Sequence, residues 1–224
     1  MARDGWPFVI GGLIATAIGW ILGASMSPWW YVLAAVAGIA TLFFAFFFRD
    51  PSRTAPDEPG IVVAPADGRI VSVVNHPDGG MQIDTFLSVF NVHVNRAPAT
   101  GRVIGSDYRP GKFFAAMKPE AGHQNERQDI VLESDIGIIR FAQIAGVLAR
   151  RIVCRVMTGD ELTIGERFGM IRFGSRMNVV LPPGFDASVT VGEKVRAGET
   201  IIARHRGQTG RRTKVDTKAG LASS

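Results

Sequence analysis

Cysteine is nearly absent from this sequence, and closely spaced metal-binding residues are absent too. Cys154 is the single cysteine among 224 residues, which excludes an internal disulfide framework and a cysteine metal cluster. It lies in an alternating run at 151–156, and we interpret it as a small buried residue rather than a nucleophile. Histidines and carboxylates lack the spacing of metal ligands, and no glycine-rich segment matches a phosphate-binding loop. We therefore expect no metal site and no phosphate loop.

Charge is missing from residues 5–48, which contain no Asp, Glu, Lys or Arg. Two apolar segments, 6–24 and 29–48, flank a short turn at 25–28. At 1.5 Å per residue, each segment is long enough to cross a hydrocarbon core of about 30 Å. The pattern predicts a membrane-anchoring helical hairpin over 1–48.

The ends of this hairpin carry positive charge on one side only. Arg3 precedes it, and Arg49 and Arg53 follow it. The positive-inside rule therefore predicts that the remainder of the chain lies on the cytoplasmic face of the cell membrane. Three alternatives stay open: a signal peptide, a helical hairpin buried in a globular core, and a hairpin that enters one leaflet without crossing. The second apolar run argues against the first alternative, and the charge-free length argues against the second.

The rest of the chain is rich in short β patterns separated by glycine. Residues 49–60 are rich in proline and charge and are predicted to be a linker. Residues 61–203 predict one mainly β domain, a sandwich or open barrel, with a helical turn near 147–151. Strands are expected at 61–64, 68–74, 81–87, 89–95, 101–104, 108–114, 129–133, 137–145, 152–156 and 160–162.

The end of the chain changes character. Residues 191–203 have glycine-spaced strands similar to the hammerhead half-motif of lipoyl and biotinyl carrier domains. Residues 204–224 are predicted to be a basic, disordered tail. The net charge is +5, and this modest excess suggests an anionic partner surface such as lipid headgroups. Because no basic stripe with interleaved aromatic residues occurs, we do not expect nucleic acid as a partner.

The strongest candidate for chemistry is Ser175, which follows Gly174 at the start of an apolar strand pattern. A serine hydroxyl can attack the carbonyl carbon of a preceding glycine, because no side chain blocks the approach and glycine tolerates the strained backbone. The ester that forms can undergo β-elimination, which breaks the chain and leaves a dehydroalanine that becomes a pyruvoyl group. An isolated Gly-Ser pair is a weak signal, so this hypothesis depends on its surroundings.

His93 is the best candidate for an acid–base group. Strand alternation would place it on one face with Asn91 and Asn95, a polar face in an apolar neighbourhood. Asp67 precedes Gly68 in a tight turn, which is common turn chemistry. The alternative is that the Asp67 carboxylate orients His93 and stabilises its charged form, as the third group of a catalytic triad does.

Several segments together resemble phosphatidylserine decarboxylase, most closely its short, membrane-tethered bacterial and archaeal type. The likeness runs from about residue 49 to 203, and single segments are less specific than the set. One departure is that the motif around His93 has Arg96 where long-chain members have a second histidine. The matching segments are Pro65-Ala66-Asp67-Gly68, the run 90–98, Asn125-Glu126-Arg127, the runs 143–146 and 149–152, and the run 165–176.

The resemblance implies a proenzyme that cuts itself between Gly174 and Ser175 into a β chain, 1–174, and an α chain, 175–224, which form a heterodimer. Ser175 then becomes the pyruvoyl cofactor. This group forms a Schiff base with phosphatidylserine, and loss of carbon dioxide gives phosphatidylethanolamine. His93 and Asp67 are the expected catalytic partners. A higher oligomer stays open.

The cation that holds the lipid phosphate is also open, and we consider Arg96, Arg109 and Lys112. Two functions of other classes remain as alternatives. One is a membrane-tethered carrier or adaptor domain, favoured by the hammerhead-like end and by Lys118 in a sequence that echoes a biotinylation site. The other is a membrane serine hydrolase that uses Ser175, His93 and Asp67.

Overall fold

The chain is mainly β, and its largest sheet curls into an open half-barrel behind two apolar helices. The computed structural model describes residues 1–111, 125–146, 152–172 and 175–207. This architecture confirms the fold class predicted from the glycine-spaced strand patterns and the charge-free segment.

The two helices form the expected hairpin. After a 3₁₀ turn at Arg3–Gly5, helix α1 spans Trp6–Ser25 and helix α2 spans Trp29–Phe47. Small residues let the helices approach closely, because a Cβ atom added to Gly19 would lie only 2.9 Å from the Cβ of Ala34. The bounds of the two helices confirm the positions predicted from the apolar segments.

Both helices are long and apolar enough to cross a membrane, and the domain does not cover them. Only 6% of the most apolar window of the first helix and 17% of that of the second are buried. A core hairpin would be mostly buried, so this alternative is disfavoured. The exposed apolar surface indicates that the protein associates with a membrane. Its large exposed side chains include Ile10, Leu13, Ile14, Ile18, Trp20, Ile21, Val32, Leu33, Val36, Ile39 and Leu42.

The described strands form three sheets in which neighbouring strands are antiparallel. One sheet has the order β1-β14-β12, a second has the order β4-β10-β8, and the large sheet has the order β13-β2-β3-β11-β7-β6-β5-β9. The strand bounds are β1 Ile61–Val63, β2 Gly68–Asn75, β3 Met81–Leu87, β4 Val94–Arg96, β5 Gly101–Arg109, β6 Arg127–Ser134, β7 Gly137–Ile144, β8 Ile152–Cys154, β9 Glu161–Leu162, β10 Arg167–Ile171, β11 Ser175–Leu181, β12 Phe185–Ala187, β13 Lys194–Val195 and β14 Ile201–His205.

Strand β11 lies in the middle of the large sheet, between β3 and β7. Ser175 pairs with Leu87 of β3, and the next residue, Arg176, pairs with Ile144 of β7. Most of this strand is buried on both faces, as is usual for a strand covered on both sides. Ser175 therefore begins one of the best-supported strands of the domain.

Two of the predicted elements differ from the structure. The strand expected at 89–95 is wrong in extent, because a turn at Ser88–Asn91 replaces its first half and β4 begins only at Val94. The strands expected at 101–104 and from Tyr108 belong to one strand, β5, which has a register irregularity between Val103 and Gly105. The helical turn expected near 147–151 lies outside the described residues, as does the chain from 112 to 124.

The ends of the domain extend beyond the predicted limits. Arg204 and His205 belong to β14, where they pair with Ile61 and Phe185. Residues 208–224 of the predicted tail lie outside the described residues. At the other end, Arg53 of the predicted linker is largely buried and bound to the domain. The segment 49–60 is thus tied to the sheet rather than independent of it.

Candidate active site

Ser175 lies at the first position of β11 and is completely buried. Among the residues that the structure describes, no group forms a hydrogen bond with its Oγ atom. Leaving a buried polar group without a partner costs about 1–3 kcal/mol, so such a group in a native protein calls for an explanation. Its predicted partner in the chain cut, Gly174, lies outside the described residues.

His93 lies just before β4 and is held by the turn that precedes it. The side chain of Asn91 fixes this turn, because its Oδ1 accepts hydrogen bonds from the backbone N–H of Ser88 at 2.9 Å and from the Ser88 hydroxyl at 2.8 Å. The carbonyl oxygen of Asn91 lies 2.9 Å from Nδ1 of His93. Because a carbonyl only accepts, Nδ1 carries the proton, and Nε2 of the neutral ring carries the free lone pair.

The surroundings of His93 favour its neutral form. The ring is fully buried, and within the described parts of the chain Nε2 has no hydrogen-bond partner. The pKa of His93 falls from 6.5 to about 4, chiefly because the ring is buried. The charge of Arg49 also lowers this pKa, and the bond to Asn91 and the charge of Asp67 offset part of the decrease. At neutral pH His93 is therefore an uncharged base with an available lone pair.

The fold links His93 to Ser175 by two routes. Strand β4, which follows His93, pairs with β10, and the backbone N–H of Ile171 lies 3.4 Å from the carbonyl oxygen of His93. Ile171 precedes Ser175 by four residues. On the other side, Leu87 pairs directly with Ser175 and leads into the turn before His93. The structure thus brings together the regions of the two residues singled out from the sequence.

Asp67 has different partners from those predicted. Arg53 forms two hydrogen bonds to its carboxylate, one of them from Nη2 to Oδ2 at 2.8 Å, and the backbone N–H of Ala197 donates to Oδ1 at 2.9 Å. Among the described residues, Asp67 forms no hydrogen bond to His93, whose Nδ1 binds Asn91 instead. Asp67 therefore acts on His93 through its charge, which raises the pKa of the histidine.

The segment before β1 also carries Asp50, which forms ion pairs with the buried Arg96 and with the half-exposed Arg167. Asp50 lies 3.5 Å from Arg96 and 2.8 Å from Arg167, and Arg96 also donates to the carbonyl oxygens of Pro51 and Gly165. We call the three pairs Asp50–Arg96, Asp50–Arg167 and Asp67–Arg53 the linker ion pairs. Arg96 is almost fully buried by them, which makes it a structural residue rather than an open phosphate-binding cation.

The other two cations considered for the lipid phosphate are not favoured by their positions. Arg109 is exposed and pairs with Asp129 at 3.0 Å. Lys112 lies outside the described residues, as does Lys118 of the carrier alternative. Cys154 lies in β8 and is partly buried rather than fully buried as predicted. Burial raises the pKa of its thiol, in agreement with its interpretation as a non-nucleophilic residue.

A cavity of about 600 Å³ opens beside Asp67 and Asn91. Its wall includes Phe86, which pairs with Arg176, the neighbour of Ser175. Three cationic side chains line it as well, those of Arg69, Lys194 and Arg196. Sequence reasoning missed these cations, although Arg69 follows the Asp67-Gly68 turn and the other two lie in the hammerhead-like segment. Their convergence depends on the pairing of β13 with β2.

Ser175 and His93 supply a buried hydroxyl and a buried neutral histidine, and residues close to them in the chain or in the sheet, Asn91 and Phe86, line a cavity. Together with two apolar helices, these are features of an active site in a membrane-associated enzyme. The family model for phosphatidylserine decarboxylase matches residues 40–203. Curated relatives named "Phosphatidylserine decarboxylase proenzyme" include those of Citrifermentans bemidjiense, 43% identical over 90% of this chain and 95% of the relative, and Cupriavidus pinatubonensis, 46% identical over 91% and 94%.

A third relative with the same name, from Beijerinckia indica, is 46% identical over 89% of this chain and 87% of its own length. The chain therefore belongs to the phosphatidylserine decarboxylase family, and it is an enzyme. The resemblance inferred from the motifs is confirmed.

Proposed function

We propose that this protein is a self-processing decarboxylase that converts phosphatidylserine to phosphatidylethanolamine and carbon dioxide. The observation that carries the proposal is the buried hydroxyl of Ser175, which has no hydrogen-bond partner among the described residues. The neutral, buried ring of His93 supports it. Family membership supports the substrate and the reaction. The proenzyme names of the relatives support processing of the chain.

Maturation begins when Oγ of Ser175 attacks the carbonyl carbon of Gly174. The hydroxyl proton passes to Nε2 of His93, which then gives it to the departing nitrogen as the C–N bond breaks. An ester thus replaces the peptide bond, and residue 175 has a free amine. Loss of the Cα proton of residue 175 then expels the Gly174 carboxylate with the electron pair of the C–O bond. Water finally displaces ammonia and leaves a ketone at residue 175. Positioned proton transfer of this kind contributes roughly 10²–10⁴ in rate.

The two products, 1–174 and 175–224, stay together because their strands alternate in the sheets. The smaller chain supplies β11, which lies between β3 and β7 of the larger chain. It also supplies β13 and β14, which pair with β2 and β1. A cut before Ser175 thus leaves a heterodimer whose new terminus begins a buried central strand.

The residues around Ser175 suit a pyruvoyl group, because a buried hydroxyl without a partner among the described residues marks the atom that the group would replace. The chemistry that such a group supplies is an electrophilic ketone, which takes up a primary amine and then the electron pair left when carbon dioxide departs. The chain itself excludes water from the site and, through Nε2 of His93, holds and delivers a proton.

The cavity beside Asp67 and Asn91 is the best place for the substrate headgroup. Arg69, Lys194 and Arg196 give it positive charge that complements the phosphate of the lipid. The cavity also adjoins the hairpin, since Arg49, two residues after the end of α2, donates to the carbonyl oxygen of Phe90 at 2.6 Å. Phe90 lines the cavity and is largely exposed, as a side chain in contact with lipid would be.

The side of the membrane on which the domain lies can be inferred from the charges at the ends of the hairpin. Arg3 and Arg49 lie at the open end of the hairpin, the end from which the domain extends. By the positive-inside rule, this end and the domain lie on the cytoplasmic face. A headgroup of the inner leaflet would then reach the cavity without leaving the membrane.

The substitution Ser175→Ala tests the proposal. We expect it to leave one uncut chain of 24.2 kDa without decarboxylase activity, as measured by intact-mass spectrometry and by release of carbon dioxide from phosphatidylserine. Two fragments from this variant would contradict the assignment of the site. Labelling of the active wild-type protein at Ser175 by a serine-directed probe would support the hydrolase instead, since a pyruvoyl enzyme retains no hydroxyl there.

A further inference from the structure

The last residue of α2 and the residue that follows it are buried in the domain, whereas most of the hairpin is exposed. Phe47 and Phe48 are both fully buried and pack with Val92 and Val94 on either side of His93, and with Met170 of β10. The cluster also includes Ala2, whose N–H donates to the carbonyl oxygen of Phe48 at 2.8 Å. We call Ala2, Asp4, Phe47 and Phe48 the hairpin base.

The hairpin base touches the catalytic histidine directly. The ring centroid of Phe47 lies 4.1 Å from that of His93, and the two planes are inclined by 34°. Asn91 fixes one edge of the imidazole through Nδ1, and Phe47 covers its face. These two contacts together set the direction of Nε2, because one hydrogen bond alone leaves the ring free to tilt about it.

The hairpin base also contacts the segment that leads to Ser175. Asp4 lies 3.5 Å from Arg172 and also forms an ion pair with Arg155. The guanidinium of Arg172 lies 5.9 Å from the ring centroid of Phe48, close enough for a cation–π interaction. The same small region therefore contacts the proposed base and the chain two residues before the proposed cut.

We propose that the hairpin base is part of the self-processing site and that Phe47 is a positioning residue for His93. This inference rests on the proposed function, because it assigns His93 its role in cutting the chain. It means that the hairpin is more than a membrane anchor. A chain whose hairpin base is not seated on the domain matures slowly, even if the domain is folded and the bond before Ser175 is intact.

Phe47 should affect the rate of self-cleavage in two ways, by orienting the imidazole of His93 and by keeping water away from it. A displacement of about 1 Å in a reacting group can cost on the order of 10²-fold in rate. Phe47 also excludes water from the imidazole, which keeps the ring neutral. The charged groups that act on His93 are Arg49, at the end of α2, and Asp67, at the start of β2. Both remain in place when only Phe47 is changed.

The experiment compares the rate of self-cleavage in full-length chains synthesised without cells in the presence of detergent micelles. Phe47→Ala removes the ring, and Phe47→Leu keeps an apolar side chain of similar size without the aromatic face. Leu42→Ala is the matched control, because Leu42 lies on the same helix and is exposed. Loss of the uncut chain is followed by gel electrophoresis and intact mass between pH 4 and 8.

We expect Phe47→Ala to slow cutting about 10- to 100-fold, Phe47→Leu to slow it less, and Leu42→Ala to match the wild type. Water that reaches the imidazole should also move the acid limb of the rate profile of Phe47→Ala from about pH 4 toward 6.5. A general loss of folding would lower the rate equally at every pH and leave the limb in place, which would overturn the inference.

Wild-type rate and profile in Phe47→Ala would overturn the inference as well. An unshifted acid limb or a wild-type rate in Phe47→Ala would leave the proposed function unchanged, as long as the wild-type chain cuts itself. Failure of the proposed function has a separate signature, which is an uncut wild-type chain with full decarboxylase activity.

Discussion

Two sets of buried polar residues in this protein differ in whether their polar atoms form hydrogen bonds. In the linker ion pairs, Arg53 and Asp67 bind each other through two hydrogen bonds, and Asp67 receives a third from Ala197. At Ser175 and His93, by contrast, Oγ and Nε2 have no hydrogen-bond partner within the described ranges, although both residues are completely buried. Satisfied groups hold the structure, whereas unsatisfied ones cost stability and are retained where chemistry needs them.

The largest effect on chemistry is expected from His93→Gln. Glutamine keeps a polar side chain of similar length but has no basic lone pair at the position of Nε2, so self-cleavage should slow roughly 10²- to 10⁴-fold. The rate at which the uncut chain disappears measures this. His76→Gln, in the turn between β2 and β3, is the matched control and should cut at the wild-type rate. Equal rates in both variants would remove His93 from the mechanism.

The largest effect on stability is expected from the linker ion pairs. Asp67→Asn leaves the largely buried Arg53 without its counter-charge, and breaking such a pair typically costs about 3–5 kcal/mol. The exposed pair of Arg204 and Glu58 is the control, since Glu58→Gln should cost at most about 1 kcal/mol. Urea unfolding in detergent gives both values.

Ser175→Ala sharpens this contrast because its effect on stability should be absent or of opposite sign. Relative to an uncut chain that retains Ser175, such as His93→Gln, it removes a buried hydroxyl that lacks a partner among the described residues, so unfolding should become no easier. A loss comparable to that of Asp67→Asn would show that Ser175 is as well bonded as the linker ion pairs, and the comparison would fail.

A pH dependence of intermediate size should arise from His93. Between pH 6.5 and about 4, the unfolded chain binds a proton at this residue that the folded protein excludes. The free energy of unfolding should therefore fall as the pH decreases through this window, by about 3 kcal/mol in total, and this contribution should be constant above it. Unfolding of the wild type and of His93→Gln at several pH values isolates this difference. An identical pH dependence in both proteins would contradict the low pKa of His93.

The smallest effect is expected at the rim of the cavity. Lys194→Gln or Arg196→Gln should raise the KM for phosphatidylserine in mixed micelles a few-fold, since an exposed ion pair contributes at most about 1 kcal/mol. Self-cleavage should be unchanged because no lipid phosphate takes part in it. Arg102→Gln, an exposed cation on β5, is the control. An unchanged KM in both cavity variants would remove these cations from substrate binding.

The sequence predicted the regular parts of the structure well, for local physical reasons. The charge-free segment can form only apolar helices, and the alternating runs separated by glycine give most of the strands. The position of Ser175 at the start of β11 also follows from its apolar run. These features depend on residues that are neighbours in the chain.

The details of the site could not be predicted in this way. The turn that holds His93 forms because the Asn91 side chain replaces strand hydrogen bonds with its own. The alternation of apolar and polar residues in the sequence does not reveal this competition. Arg53 meets Asp67, and Phe47 meets His93, only after distant parts of the chain have packed together. The contact of Asp67 with Arg53 could therefore not be predicted from the motif, and the catalytic role of Asp67 remains a prediction.

The most direct test of the account is an intact-mass spectrum of the purified wild-type protein before and after treatment with borohydride. We predict two chains, 1–174 and 175–224, of which the smaller has lost its amino group and gains two hydrogens on reduction, with loss of activity. A fully active protein that runs as one unbroken chain of 24.2 kDa, with Ser175 intact, would contradict the account.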